Sequence, residues 1–386
     1  MKIELNKILS QSKTSELIDC PEKEKYITVS GHGAGVKERI ITDGKTPVPF
    51  NGYRVKKGQL IYSRIGASDG AFGIVPEYLD QAVVSKDFPV FDVCSDLADI
   101  DYLIYYLTSD MFCQIAARDS FGATMTRYKE DKLLNCKIKL PSLDLQRTIV
   151  KSLDCLKRII AFHKNELQMF DDLIKSRFVE IFGDPRKNPH NYEKKALKDT
   201  CTVVTGNTPS RTIPEYYGDY IEWIKTDNII SGRLYPTKAV EYLSEEGILV
   251  GKAVEKGSIL MACIAGSVAS IGKVCITDRK VAFNQQINAV VPKAYDALFL
   301  YVMLQLSKEY LVEEINMALK GILSKSKLEA KEFIIPPLEL QKDFAAFVSQ
   351  VDKSKADVTE SLESAQLLFD SLMQKYFSEE ESEYGN

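Results

Sequence analysis

Histidine is scarce in this chain, with three copies in 386 residues. His32, His163 and His190 are too widely spaced to suggest a metal centre, and no metal is expected. A Ser/His/Asp triad is not excluded by sequence. Only His32 lies in a loop that suggests exposure, and a loop role is favoured for it over a catalytic one. The eight cysteines (Cys20, Cys94, Cys113, Cys136, Cys155, Cys201, Cys263 and Cys275) form no Cys-x-x-Cys pair and no Cys/His cluster. That is the pattern of reduced, mostly buried thiols in a cytoplasmic protein. No glycine-rich phosphate loop is present: Gly66-Ala-Ser-Asp-Gly70 and Gly266-Ser-Val-Ala-Ser270 lack the Gly-Lys-Ser/Thr step and read as tight turns between strands. No long apolar run is present either. The most apolar stretch, 259–276, is rich in Gly, Ser and Ala and is interrupted by Lys273, so it reads as strand, turn and strand rather than a membrane span. The opening residues mix charge with apolar side chains at once, and no signal peptide is expected. Excess charge of either sign is also missing, because 50 Lys and Arg stand against 54 Asp and Glu for a net charge of −4. A nucleic-acid binder usually carries a basic footprint, so any such function requires locally sorted charge or a partner that completes the clamp.

What the chain does have is a tandem repeat. Lys57-Gly58-Gln59-Leu60-Ile61 recurs as Lys256-Gly257-Ser258-Ile259-Leu260, and at the same offset Ile65 meets Ile264, Gly73 meets Gly272 and Val75 meets Val274. Leu140-Pro-Ser-Leu-Asp-Leu-Gln146 recurs as Ile335-Pro-Pro-Leu-Glu-Leu-Gln341, and Phe170-Asp-Asp-Leu as Phe369-Asp-Ser-Leu. Two similar domains are implied, each followed by a similar helix. Within each, short apolar runs alternate with turn signals such as Asp43-Gly44 and Asn51-Gly52, giving strands and loops. A helical stretch follows at roughly 101–117 in the first copy and 298–318 in the second. Each half is therefore mixed α+β.

After the two Pro-x-Leu-x-Leu-Gln motifs the pattern changes. Ile149, Leu153, Leu156, Ile160, His163, Leu167, Phe170, Ile174, Arg177 and Ile181 step alternately by four and three. Phe344, Val348, Val351, Lys355, Val358, Leu362, Ala365, Phe369, Leu372 and Tyr376 step identically. A 3.5-residue repeat without Gly or Pro is a coiled-coil seam. Pro141 and Pro336 mark the helix entries and Gly183-Asp-Pro185 ends the first. The helices are expected to pair with one another, through Leu153, Leu156, Ile160, Leu167, Phe170 and Ile174 on one and Val348, Val351, Val358, Leu362, Phe369 and Leu372 on the other. A helix over 146–182 would span about 55 Å, long enough in an antiparallel pair to act as a ruler between the two domains. The expected organisation is a first domain at 1–145, helix 146–182, linker 183–191, second domain 192–340, helix 341–378 and an acidic tail at 379–386.

These parts, in this order, resemble the specificity subunit of type I restriction-modification systems. The residues that carry the resemblance are Thr205-Gly-Asn-Thr-Pro-Ser210, Pro214-Glu-Tyr-Tyr217, Ile221-Glu-Trp-Ile224 followed by Asp227-Asn228, and Ile335-Pro-Pro-Leu-Glu-Leu-Gln341. Phe182-Gly-Asp-Pro185 with Asn188-Pro189 is similar to the family's domain junction. The resemblance covers essentially the whole chain, although the first half lacks the Gly-x-Thr-Pro opening and the Trp. It implies two tandem target-recognition domains separated by two long antiparallel coiled-coil helices. It further implies a bipartite, asymmetric site on double-stranded DNA, with one domain per half-site. Two DNA-adenine methyltransferase subunits would dock on the helices and a restriction and translocation subunit would join them. S-adenosylmethionine and ATP would belong to those partners, and this chain would be a non-catalytic adaptor without a cofactor. The residues agree on one point independently: the only Pro-Pro, Pro336-Pro337, stands at a helix entry and not in the Asn/Asp-Pro-Pro-Tyr/Phe setting that holds a target amine. Two alternatives are a specificity subunit of a related bifunctional restriction-methylation system and, in another class, a coiled-coil scaffold with two protein-binding domains.

Side chains that pair with base edges or phosphates mark the expected DNA contacts. In the second half these are Thr208, Ser210, Lys225, Asp227, Asn228, Asn284, Gln285, Gln286, Lys320, Ser324 and Lys325. In the first they are Arg64, Lys86, Thr124, Arg127 and Lys129. Asn284-Gln285-Gln286 and its counterpart Ser85-Lys86-Asp87 put different polar residues at one repeated position, which fits two different readers and fits two solvated turns equally. Trp223 is expected in the core rather than as a stacking platform.

Overall fold

The computed structural model describes residues 2–12, 15–41, 48–122, 126–267, 270–313 and 321–378. The chain divides into two compact units, Met1–Phe162 with Leu362–Asn386, and His163–Ser361. Both boundaries fall inside long helices, so each unit holds one globular repeat and a part of each helix.

The first unit is built on a four-stranded antiparallel sheet in the order Leu9–Ser12, Val90–Val93, Leu60–Tyr62, Phe72–Ile74. The second repeats it with Cys201–Thr205, Ile287–Pro292, Ile259–Ala262 and Val274–Ile276 in the same order. Leu60–Tyr62 and Ile259–Ala262 are buried on both faces, which is why they read as unbroken apolar runs rather than alternating ones. Around the shared sheet the copies differ. The first adds a three-stranded sheet (Ser15–Ile18, Phe50–Arg54, Val83–Val84). The second adds a five-stranded one in which Ile221–Ile224 pairs in parallel with Val281–Phe283, placing Trp223 opposite Ala282.

The single helices expected after each sheet are each broken in two. Ile100–Leu107 is followed by Asp110–Asp119, and Ala297–Leu306 by Lys308–Val312, while 314–320 lie outside the described residues. In the first copy the break follows from side-chain hydroxyls competing for backbone groups. Thr108 Oγ1 donates back to the Ile104 carbonyl (2.7 Å), and Ser109 Oγ accepts from the Phe112 amide (3.3 Å) as the cap of the next helix. Asp99 and Asp296 cap the leading helices at equivalent positions.

The long helices run from Leu143 to Phe182 and from Leu338 to Phe377, each starting two residues after its proline and three before the expected first residue. Gly183 takes a left-handed φ of 75°, and its amide closes the first helix on the Val179 carbonyl (2.9 Å). Within the first unit, Ile149, Val150 and Leu153 share a core with Phe369, Leu372 and Phe377, and the Lys157 ammonium lies 6.0 Å from the Phe369 ring centre. Within the second, Phe178 and Phe182 contact Phe344 at 5.5 and 5.6 Å between ring centres, and Lys355 Nζ meets Asp171 Oδ1 at 2.7 Å. In both units the helices run antiparallel. Of the side chains expected on the seam, Leu153, Leu156, Ile160, Val348 and Val351 are buried and the other seven half-buried. Toward its end the first helix departs from the 3.5-residue pattern. Arg177 is exposed, whereas Phe178 and Phe182 are fully buried against Phe299 at 5.4 and 4.9 Å. A straight helix drifts relative to a heptad, and the aromatic pair follows the sheet-packed helix rather than the seam. Among the described residues no helix is long and apolar enough to cross a membrane.

Candidate nucleic-acid interface

In each unit one backbone frame gathers loops that are far apart in sequence. In the first, the Arg64 amide donates to the Asp87 carbonyl (2.9 Å) and the Tyr128 amide donates to the Arg64 carbonyl (2.9 Å). In the second, the Cys263 amide donates to the Gln286 carbonyl (2.8 Å) and the Leu323 amide to the Cys263 carbonyl (2.9 Å). The frame is the same at equivalent positions; only the side chains attached to it differ.

The first frame brings together Arg64, Lys86, Arg127 and Lys129, all expected DNA contacts. Arg64 is half-buried and its guanidinium is ion-paired to Glu130, which also accepts from Gln11 Nε2 (3.2 Å). Burial, the largest single effect, raises the Glu130 carboxyl, but the hydrogen bond and charge of Arg64, the Glu130 backbone amide and the Gln11 hydrogen bond together outweigh it and hold the group below the ordinary range. Arg64 is thus fixed by the fold. Arg127 Nε pairs with Asp87 (3.1 Å), and Lys129 Nζ sits 5.6 Å from the centre of the exposed Phe121 ring. Lys86 is exposed beside them. Thr124 lies outside the described residues, as do Lys320 in the second half and the 379–386 segment. His32, exposed with a φ of 54°, belongs to a tight turn.

In the second frame, the loop after Cys201–Thr205 packs on the 283–287 turn, with the Gly206 amide on the Ile287 carbonyl (3.0 Å). A Cβ at Gly206 would stand 2.2 Å from the Asn284 carbonyl oxygen, so only glycine permits the approach. Thr208 Oγ1 donates to the exposed Gln285 side chain. Ser210 is exposed and shares a hydrogen bond with Thr212 (2.8 Å), and Asp227 is exposed at its turn. Ser324 caps the helix Lys325–Ala330, where Lys325 reaches Glu329 at 3.6 Å.

Two of the asparagines expected to read bases are given another task. Asn228 is 8% exposed: its Oδ1 accepts from the Lys225 amide (2.9 Å), and its Nδ2 donates to Thr237 Oγ1 (3.1 Å) and the Lys238 carbonyl (3.2 Å). Asn284, 6% exposed, bonds the Gln286 amide and side chain at 3.1 Å each. Both build turns, because a buried amide needs internal partners. Half-buried Gln286 serves the same turn, which leaves Gln285 as its exposed side chain.

Sequence reasoning missed the cluster around Trp223. The indole is buried, with Nε1 donating to the Asn207 carbonyl (3.3 Å). Two cations flank it: the Arg211 guanidinium at 5.4 Å and the Lys225 ammonium at 5.1 Å from the ring centre. Both pair with Glu241, Arg211 at 2.6 Å. The Lys225 ammonium, and beyond it Arg211, outweigh burial and hold the Glu241 carboxyl below its ordinary range. A single arginine in a polar loop carries no periodicity; the only prior signal was its place directly after the Thr-Pro-Ser segment.

The sequence matches the family described as Type I restriction modification DNA specificity domain over residues 3–169 and 189–367. It is 23% identical over 328 residues to the Type I restriction enzyme HindI specificity subunit of Haemophilus influenzae, covering 65% of this chain and 70% of that one. It is 27% identical over 188 residues to the MjaIX specificity subunit of Methanocaldococcus jannaschii, covering 47% of this chain and 43% of that one. The fold is similar to the type I restriction-modification system S subunit from M. genitalium, with a TM-score of 0.62 at 15% identity over 98% of this chain and 96% of that one. It is also similar to a chain from a structural study of complex assembly and conformational transition in the type I R-M system, with a TM-score of 0.57 at 18% identity over 98% and 97%. With both repeats inside the matched residues, the chain belongs to the type I restriction-modification DNA specificity family.

Proposed function

We propose that this chain is the sequence-reading adaptor of a type I restriction-modification complex, recognising a bipartite, asymmetric DNA site with one domain, 1–145 or 192–340, per half-site. The observation that carries the reading is the frame repeated in each unit with different side chains: Arg64, Lys86 and Asp87 in one, Cys263, Gln285 and Gln286 in the other. Two readers of two different sequences would carry different side chains on one such frame. The contacts fall to polar groups on and around that frame, exposed Lys86 and Lys129 with half-buried Arg127 in the first unit, and exposed Thr208, Ser210, Gln285 and Lys325 with half-buried Lys225 in the second, phosphate contacts positioning the duplex and base edges specifying it.

The helices dock two DNA-adenine methyltransferase subunits. Their outward faces carry apolar side chains that a lone helix pair does not need, Phe162 (60% exposed), Met169 (61%) and Leu173 (46%) on the first and Leu367 (73%) on the second. The chemistry belongs to the partners: S-adenosylmethionine to the methyltransferase, which takes the target adenine out of the stack, and ATP to the restriction and translocation subunit. This chain contributes no catalytic group, and the complex works in the cytoplasm. The partners also contribute positive charge, since this chain's net charge of −4 gives little non-specific affinity.

The test is co-expression with the methyltransferase partner followed by methylation-sensitive sequencing of host DNA. One bipartite motif with methylated adenines is expected, lost when this chain is omitted, and exchange of 192–335 should alter one half of it only. A soluble complex without chain-dependent methylation, or an exchange that rewrites both halves, refutes the proposal.

A further inference from the structure

We propose that Arg211 reads a guanine in the half-site of the second unit, presented on a shelf formed by Tyr217 and Trp223 and held in place by Glu241. This rests on the sequence-reading function above and adds a residue, a base and a mode of contact.

The argument begins with how firmly the guanidinium is held. Its carbon lies 4.5 Å from the Tyr217 ring centre and 5.4 Å from that of Trp223. Each aromatic ring is in turn tied to the loop that carries Arg211: the Tyr217 hydroxyl donates to the Pro209 carbonyl (2.7 Å) and Trp223 Nε1 to the Asn207 carbonyl (3.3 Å). The two rings meet edge to face at 5.9 Å. Glu241 Oε2 accepts from Arg211 Nη2 at 2.6 Å, and its other oxygen is occupied by Lys225. Loop, shelf and buttress form one unit, so little side-chain freedom remains to be lost when DNA binds.

Next comes what the guanidinium has left to offer. It carries five donors in a planar fork, and among the described residues Arg211 donates to no acceptor but Glu241. Its side chain remains 58% exposed. Arg54 and Arg279, which are also ion-paired, lack this spare capacity. Arg54 gives both Nη atoms to Glu24 (2.9 and 2.7 Å), Nη1 also to the Gln81 carbonyl (3.0 Å), and Nε to Glu16. Arg279 gives Nε and Nη2 to Glu222 at 2.7 Å each and Nη1 to Asp278 at 2.5 Å. Those forks are closed; the one on Arg211 is open on an exposed edge.

A planar, open fork matches two acceptors side by side, and guanine offers them at O6 and N7 in the major groove. A phosphate also accepts such a fork but does not require a fixed plane, whereas here the plane is fixed by two rings and Glu241. The same loop also carries exposed Thr208, bonded to exposed Gln285, two further groups able to touch base edges.

The experiment uses the full chain with its methyltransferase partner and methylation-sensitive sequencing, comparing the native protein with Arg211→Ala and Arg211→Lys. Expected is a guanine at one position of the half-site that follows the 192–335 exchange. Arg211→Ala should lose preference there by about tenfold to a hundredfold, and Arg211→Lys, which keeps the charge but not the fork, by less, while every other position stays fixed. The unchanged half-site of the first unit reports that each variant is folded and assembled. Weakened methylation with an intact motif, restored by Arg211→Lys, would make Arg211 a phosphate contact and overturn the assignment. An intact motif at full strength in both variants would overturn it too. If the native complex gives no chain-dependent motif, the sequence-reading function fails first and this assignment falls with it.

Discussion

Gln341 is wholly buried at the entry of the second long helix, with its side-chain oxygen accepting from the Asp296 amide (3.0 Å) and its nitrogen donating to the Pro336 carbonyl (2.8 Å). Methionine has a similar length and no way to replace either bond. Gln341→Met would therefore strand one backbone donor and one backbone acceptor, at about 1–3 kcal/mol each. Relief from burying the amide offsets part of this, so a net loss of about 2–4 kcal/mol is expected. Gln146, equally buried, makes the equivalent bonds to the Asp99 amide (2.8 Å) and the Pro141 carbonyl (2.8 Å) and adds one to the Leu97 carbonyl (3.1 Å). Gln146→Met should cost about 1 kcal/mol more than its counterpart. Gln341→Glu sharpens the test. A protonated glutamic acid has one acceptor and one donor and can reproduce both bonds; a carboxylate there would face the Pro336 carbonyl oxygen. Its pKa is then raised above the unfolded value, so the stabilisation is present below the unfolded pKa and lost as pH rises through the folded one.

Amide hydrogen exchange over 295–300 and 336–345 is the suitable assay, because a chain of two units need not melt in one step. Three results would refute the reasoning: Gln341→Met within about 0.5 kcal/mol of the native protein, Gln146→Met costing less than Gln341→Met, or Gln341→Glu gaining stability toward alkaline pH.

The charged residue inside the seam gives a second expectation. Lys355, with a side chain 13% exposed, pairs with Asp171 and donates to the Gly232 carbonyl (2.9 Å). Lys355→Met should lower the denaturation midpoint little, by about 1 kcal/mol or less, whereas Asp171→Ala strands the ammonium and should cost about 3; the opposite ranking would show that the pair does not act this way. A third concerns acid. Glu222 accepts twice from Arg279 (2.7 Å each) and from the Ala239 amide (2.8 Å), and the Arg279 hydrogen bond holds its carboxyl below the ordinary 4.5. That stabilisation is complete above the ordinary value and lost as pH falls through the folded one, so Glu222→Gln should flatten the stability profile below about pH 4.5. An unchanged acid limb in thermal melts would count against it.

Much of the architecture was legible because it is written in spacing. The duplicated Lys-Gly-x-Leu/Ile segments sit at the same place in two sheets of one strand order, and the Pro-x-Leu-x-Leu-Gln motifs open both long helices. The helix breaks at Thr108-Ser109 and Ser307 were not legible, since a serine within an apolar periodic run, whether it caps as Ser109 does or not, looks like any tolerated polar residue. At the candidate interface, residue type does not tell exposed side chains from buried ones: of the expected contacts, Lys86, Lys129, Thr208, Ser210, Asp227, Gln285 and Lys325 are exposed. Asn228 and Asn284 have the chemistry of base readers, yet three-dimensional burial turns both inward. Arg211 was overlooked because its meaning depends on Trp223 and Glu241, which stand 12 and 30 residues further on and meet it only in the folded sheet.

The two copies also indicate how such a protein can change what it reads without losing its fold. Where a side chain holds the architecture the copies keep the same residue, as at Gln146 and Gln341 or at the capping Asp99 and Asp296. Where the backbone holds it, the residues are free to differ, as at Arg64 and Cys263 or Asp87 and Gln286, since the amide-to-carbonyl bonds of the frame do not depend on the side chain, proline at a donor position excepted. The freedom has one limit. Arg64 is paired with half-buried Glu130, so replacing Arg64 alone would leave a carboxylate without its counter-charge, whereas Gln285 hangs on an exposed turn with a single neighbour in Thr208. Gln285 on the second frame and its exposed counterpart Lys86 on the first can therefore change singly, while Arg64 and Glu130 must change together.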